Sequence, residues 1–224
     1  MQFHPSQYRA SQKGFSLIEL MISLVVGLIV SGAAVALVAA IGKSNADTVR
    51  ATRLTQELRA TTEVIARDLR RARSNVDPIA NVSSPTPVPA AMQACNHVDI
   101  STPGCVIFGS GCAIDPTNNT FISGNYKAYG LVGNKVYLKN APAAAAAPAC
   151  PTAADILISS SAVNISTLTF TGVGTADANL DYSAYTISMA GQLSYQPSVT
   201  NSVTITSPTR TISQEVRIRS GSVQ

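Results

Sequence analysis

Glu19 is the residue with the most chemistry to explain. It stands at the mouth of a stretch, Leu20 to Gly42, that runs 23 residues without a charge. A carboxylate carried into hydrocarbon costs about 2.5–3.5 kcal/mol on insertion scales, so it is retained where it has a partner and a use. The intact chain offers none nearby, because no Lys or Arg lies between Lys13 and Lys43. A cut between Gly14 and Phe15 would supply one. It frees an α-amino group at Phe15, four residues before Glu19, within reach along a helix.

Other chemistry is sparse. His97 is the only histidine beyond the first ten residues, so no positioned base accompanies a Ser or Cys nucleophile, and no catalytic centre is expected. Glycine-rich phosphate loops are absent, and no cofactor is implied. Asp177, Asn179 and Asp181 have the spacing that opens a calcium loop. The following Gly and the bidentate Glu of such a loop are missing, with Tyr182 and Ser188 in their places, so the segment reads as a turn between strands. Cys95, Cys105, Cys112 and Cys150 contain no C-x-x-C pair, which argues against zinc and for disulfides in an oxidising space. Four cysteines allow three pairings. The low entropy of closing near neighbours points to Cys95–Cys105 with Cys112–Cys150.

The elements that must carry these residues are legible in outline. At ~1.5 Å per residue the uncharged stretch is long enough to cross a ~30 Å hydrocarbon core. It is not an ordinary secretory signal, because the Gly14–Phe15 junction precedes the apolar run instead of following it. No proline occurs between Pro5 and Pro78, so one helix is expected from about 15 to 74. Past Gly42 its apolar residues thin to a stripe, Leu54, Leu58, Thr61, Ile65, Leu69 and Ala72, with Glu63/Arg67 and Asp68/Arg71 as expected ion pairs. Residues 75–125 read as irregular. A hairpin is expected at Tyr126–Val132, Gly133-Asn134 and Lys135–Lys139. Strands follow at Asp155–Ser159, Ser166–Thr171, Tyr185–Met189, Ser202–Thr206 and Thr211–Arg219, each alternating apolar with polar. Their shared apolar face needs cover, and the stripe of helix 54–72 matches it.

Charge narrows the partners. The chain is formally +4 with a pI near 9.0, but the excess lies on the helix. Segment 43–73 holds eight basic and four acidic residues, whereas residues 74–224 hold six and seven. A near-neutral head gives no field to steer nucleic acid, so direct contact with it is not expected.

Lys13-Gly14-Phe15-Ser16-Leu17-Ile18-Glu19-Leu20 resembles the processing site of type IV prepilins and the related pseudopilins. The resemblance implies that a membrane-embedded prepilin peptidase cuts after Gly14 on the cytoplasmic side, that Phe15 becomes the N-methylated terminus, and that Glu19 serves assembly. It implies an α+β pilin-like fold, with the second half of the long helix packed on a C-terminal antiparallel sheet. Four regions follow: a cleaved cytoplasmic leader, 1–14; a transmembrane or filament-core half-helix, 15–42; an amphipathic half, 43–74; and a periplasmic or extracellular β-rich head, 75–224. Arg67 to Ala72 and Glu215 to Arg219 resemble segments of W-type minor pilins and J-type pseudopilins. No cysteine follows Cys150, so the terminal disulfide loop of major pilins is absent, which implies a minor subunit. Its implied partners are the peptidase, other minor and major pilins, the inner-membrane assembly platform and, before assembly, membrane lipid. The expected function is filament initiation or priming, acting indirectly on motility, adhesion or DNA uptake. A J-type pseudopilin of a type II secretion system would share the N-terminal residues. A tip adhesin or DNA-binding subunit finds no support in the composition.

Overall fold

The computed structural model describes residues 14–74, 95, 97–115, 120–142, 149–176, 182–194 and 208–218. Helix α1, Leu17–Leu69, is 53 residues long. The chain divides into two compact units within it, Met1–Val49 and Arg50–Gln224. In the first unit every described residue of α1 is exposed.

In the second unit α1 turns a narrow apolar stripe inward, as its 3.6-residue period dictates. All six residues expected on that stripe, Leu54, Leu58, Thr61, Ile65, Leu69 and Ala72, are buried. Burying each leucine or isoleucine contributes about 1.5–3 kcal/mol. The helix ends earlier than residue 74, for a tertiary reason. Past Leu69 the chain turns, and Arg73 takes a left-handed conformation with φ 62°. Its N–H donates to the Gly109 carbonyl at 2.8 Å, and the Ser74 carbonyl accepts from Cys112 N–H at 2.9 Å. A strand thus captures the backbone groups that a longer helix would need.

That strand belongs to a five-stranded antiparallel sheet of β1 (Val98–Asp99), β2 (Cys105–Asp115), β3 (Thr120–Val132), β4 (Lys135–Pro142) and β5 (Ile156–Leu157), in sequence order. A second antiparallel sheet holds β6 (Val163–Val173), β7 (Ala184–Leu193) and β8 (Arg210–Arg217). One core joins them to the helix: Val106, Phe108, Tyr129 and Val136 from the first sheet, and Ile165, Leu168, Tyr185, Ile187, Met189 and Val216 from the second, cluster with the stripe. The expected hairpin is β3–β4, its turn residues Gly133 and Asn134 both at positive φ, as a two-residue turn between twisted strands requires.

Three sequence expectations change here. The reading of 75–125 as irregular is overturned by β1, β2 and the first six residues of β3. Asp155–Ser159 shortens to the two residues of β5, which pair with Tyr137 and Leu138 of β4 instead of joining the C-terminal strands. The expected disulfide pairing is also wrong, since Cys95 bonds Cys112 and Cys105 bonds Cys150. The expected strand Ser202–Thr206, residues 75–94 and the alanine tract 143–148 lie outside the described residues.

Both corrections to the cysteine-rich region have one cause. On the face of the first sheet turned from the helix, two glycines let other chain segments approach the backbone. A Cβ at Gly109 would meet the Cys95 carbonyl oxygen at 2.2 Å, and one at Gly130 would meet Pro151 Cδ at 2.8 Å. Gly130 stands opposite Cys105 in the β2–β3 register, so Pro151 lying over it brings the adjacent Cys150 to Cys105. Cys95, lying over Gly109, likewise reaches Cys112 three residues on. Gly109→Ala is therefore expected to cost about 1–3 kcal/mol through overpacking against backbone. Peptide mapping should show the Cys95–Cys112 bond forming poorly while Cys105–Cys150 persists.

Candidate functional site

The residues that carry chemistry in the sequence converge on the first turn of α1. Gly14 and Phe15 precede the helix; the space a Cβ on Gly14 would fill is open, and Phe15 is 86% exposed. The Ser16 carbonyl accepts from Glu19 N–H at 3.0 Å and Leu20 N–H at 3.2 Å, so Ser16 occupies the capping position and Glu19 the third helical one. An anion there faces the positive end of the helix dipole, a gain of about 0.3–1 kcal/mol. The Ser16-x-x-Glu19 spacing is that of a capping box, so the helix start was legible in the sequence as well. One turn on, the Ser23 hydroxyl donates to the Glu19 carbonyl at 2.7 Å.

The Gly14–Phe15 bond is exposed and lies outside the helix, and the Glu19 carboxylate stands one helical turn beyond it. From Leu17 to Ile41 the large apolar side chains are each more than half exposed. By length and composition this half of α1 can cross a membrane.

A second cluster, in the Arg50–Gln224 unit, was missed in the sequence. Glu63, expected to pair with Arg67, instead bonds Arg70 at 3.1 Å and accepts from Gln214 at 3.0 Å, tying the helix to β8. Asp68, expected on the solvent face with Arg71, turns inward. Its Oδ2 accepts from Lys127 Nζ at 2.5 Å and from the Tyr129 hydroxyl at 2.6 Å. The signal was present, because Asp68 sits three residues after Ile65 on the buried stripe, and Lys127 and Tyr129 alternate onto one face of β3. Burial pushes the Asp68 carboxyl up, but the hydrogen bonds from Lys127 and Tyr129 and the charges of Lys127 and Arg67 outweigh it, holding it below its usual range. Burial, then the hydrogen bond to Asp68, pushes Tyr129 well above an ordinary tyrosine.

Of the remaining candidates, all four cysteines are spent in disulfides. His97 lies just before β1 and is half-buried. Asp177, Asn179 and Asp181 lie outside the described residues, among which no group of three potential metal ligands converges.

Comparison with known proteins adds two family matches. A family model described as Prepilin peptidase-dependent protein B matches residues 47–218. One described as the Prokaryotic N-terminal methylation motif matches residues 9–35. No curated protein matches the chain. Among solved structures it is similar to a type IV-like pilin, TTHA1219 from Thermus thermophilus, at 12% identity and a TM-score of 0.44, over 74% of this chain and 97% of that one.

The Asp68 cluster sets a pH window for the second unit. A carboxyl held low in the fold contributes stability above the ordinary carboxylate range and loses it as pH falls through the lowered value; a phenol held high contributes below pH ~10 and erodes above it. Asp68→Asn should lower stability by about 2 kcal/mol, by leaving Lys127 without its anion, and should flatten the acid limb of a Tm-versus-pH curve. An unchanged acid limb would place the anionic partner of Lys127 elsewhere.

Proposed function

We propose, from the premise that this chain belongs to the Prepilin peptidase-dependent protein B family, that it is a minor pilin whose role is assembly rather than catalysis. A prepilin peptidase removes residues 1–14 and methylates the new terminus at Phe15. The processed subunit waits in the inner membrane, its apolar half-helix in lipid, the leader side in the cytoplasm and the head beyond the membrane. Extraction into a filament then exchanges lipid for the helices of neighbouring subunits, with other minor and major pilins and the assembly platform as partners.

That exchange is nearly neutral in hydrophobic terms, since lipid tails are as apolar as leucine. A buried charge pair with a single good geometry can therefore decide register. Glu19 and the Phe15 amine of an adjacent subunit form that pair in this reading. The observation that carries it is the conjunction, in one turn, of an exposed Gly14–Phe15 bond and a carboxylate at the head of an apolar half-helix whose residues are all exposed. The methylation-motif match to residues 9–35 supports the processing step of this reading.

Within that class we favour a W-type pilin serving initiation or priming, on the likeness of Arg67 to Ala72 and of Glu215 to Arg219. A near-neutral head gives direct nucleic-acid binding no support, so effects on motility, adhesion or DNA uptake follow from filament formation.

Glu19→Ala is expected to leave membrane insertion intact while abolishing incorporation, scored by membrane fractionation alongside complementation of a deletion strain. Normal complementation by Glu19→Ala would sink the assembly role of the carboxylate. Gly14→Leu should leave a slower-migrating precursor that never acquires a methylated Phe15. Restoration of secretion rather than piliation by the wild-type gene would instead make the chain a J-type pseudopilin.

A further inference from the structure

The two sheets of the second unit meet at a cation. Lys135, the first residue of β4, directs its Nζ at the turn that leads into β6, where three main-chain carbonyls converge on it: Ser160 at 3.2 Å, Ser161 at 2.9 Å and Val163. The same corner carries Ile165 N–H donating to the Asn134 carbonyl at 2.9 Å, and Val136 N–H donating to the Ser159 hydroxyl at 3.0 Å. The β3–β4 turn is thereby bound to the strand that starts the second sheet.

Three carbonyl oxygens aimed at one point are a costly arrangement unless something positive sits among them, because their dipoles repel; the Ser160 carbonyl also accepts from Val163 N–H at 3.2 Å. An ammonium has three donors, one for each oxygen. We infer that the 160–163 turn is a carbonyl-built cation cup whose permanent occupant is the Lys135 ammonium, and that it takes a small free cation when that ammonium is removed. All three ligands are neutral. A cup without carboxylates suits a monovalent ion or a primary ammonium and recognises Ca²⁺ poorly, since protein Ca²⁺ sites rely on charged oxygens. The tethered charge keeps the joint between the sheets independent of the ions outside.

The test uses the full chain in detergent, with near-UV circular dichroism of its tyrosines following thermal unfolding. Wild type should show the same Tm in potassium chloride, calcium chloride or ethylammonium chloride at equal ionic strength. Lys135→Ala and the near-isosteric, uncharged Lys135→Met should both fall, by on the order of 5 °C. Ethylammonium or potassium should return much of that loss to Lys135→Ala, where the side chain has left room, and calcium should return less. A Lys135→Met protein as stable as wild type would overturn the inference, because packing alone would then suffice. So would a destabilised Lys135→Ala protein that no cation restores, since the turn would then lack a cation site of its own. Lys135→Arg offers a further check, with a Tm nearer wild type than that of Lys135→Met.

Discussion

Apolar surface that this chain cannot cover by itself is the constraint on which the rest depends. Among the described residues, no element covers the helix from Leu17 to Ile41, and all of its faces are exposed. At about 25 cal/mol for each Å² of apolar area, water is not a tolerable surrounding for so many exposed side chains. Lipid or other helices must supply the cover, and the two are nearly interchangeable energetically. On the assembly reading proposed above, that near-degeneracy suits a subunit that leaves one for the other, and it hands the decision to the few polar groups present. Glu19 is the one acid in that stretch, placed where the helix dipole also favours it.

The second unit solves the opposite problem. It buries its stripe completely and balances its polar groups internally, with Asp68 held by Lys127 and Tyr129, and Lys135 held by carbonyls. Its strands are tied to the helix through Glu63 to β8 and Asp68 to β3, and to the turn that follows it through Arg73 to β2. A helix is better anchored by such dispersed contacts than by one strong bond, because no single break releases it.

The sequence made the helix legible for simple reasons. Its period, its lack of proline and the eight residues around Gly14 each act locally, and locally encoded features can be read from one chain. The C-terminal strands β6 to β8 were readable because their solvent faces alternate cleanly. What failed was non-local. β2 and the start of β3 hid because Gly109 and Gly111 interrupt the alternation of β2, the first admitting Cys95 against the backbone and the second taking a positive φ. Asp68 looked like a surface acid because its partners lie about sixty residues away. The cysteine pairing failed for the same reason: loop-closure entropy favours neighbours, whereas the glycine gaps in the sheet decided which sulfurs could meet.

The connectivity that results has a consequence for endurance against proteolysis. Because the bridges interleave, Cys95 to Cys112 and Cys105 to Cys150, every peptide bond between Cys95 and Cys150 is spanned by at least one of them. A protease that nicks any single site in that region leaves both fragments covalently joined. Nearest-neighbour pairing would have left the stretch between Cys105 and Cys112 unspanned, and one cut there would have split the head. The crossed arrangement makes the domain tolerant of a first scission, so its loops can be long and exposed without each becoming a point of loss.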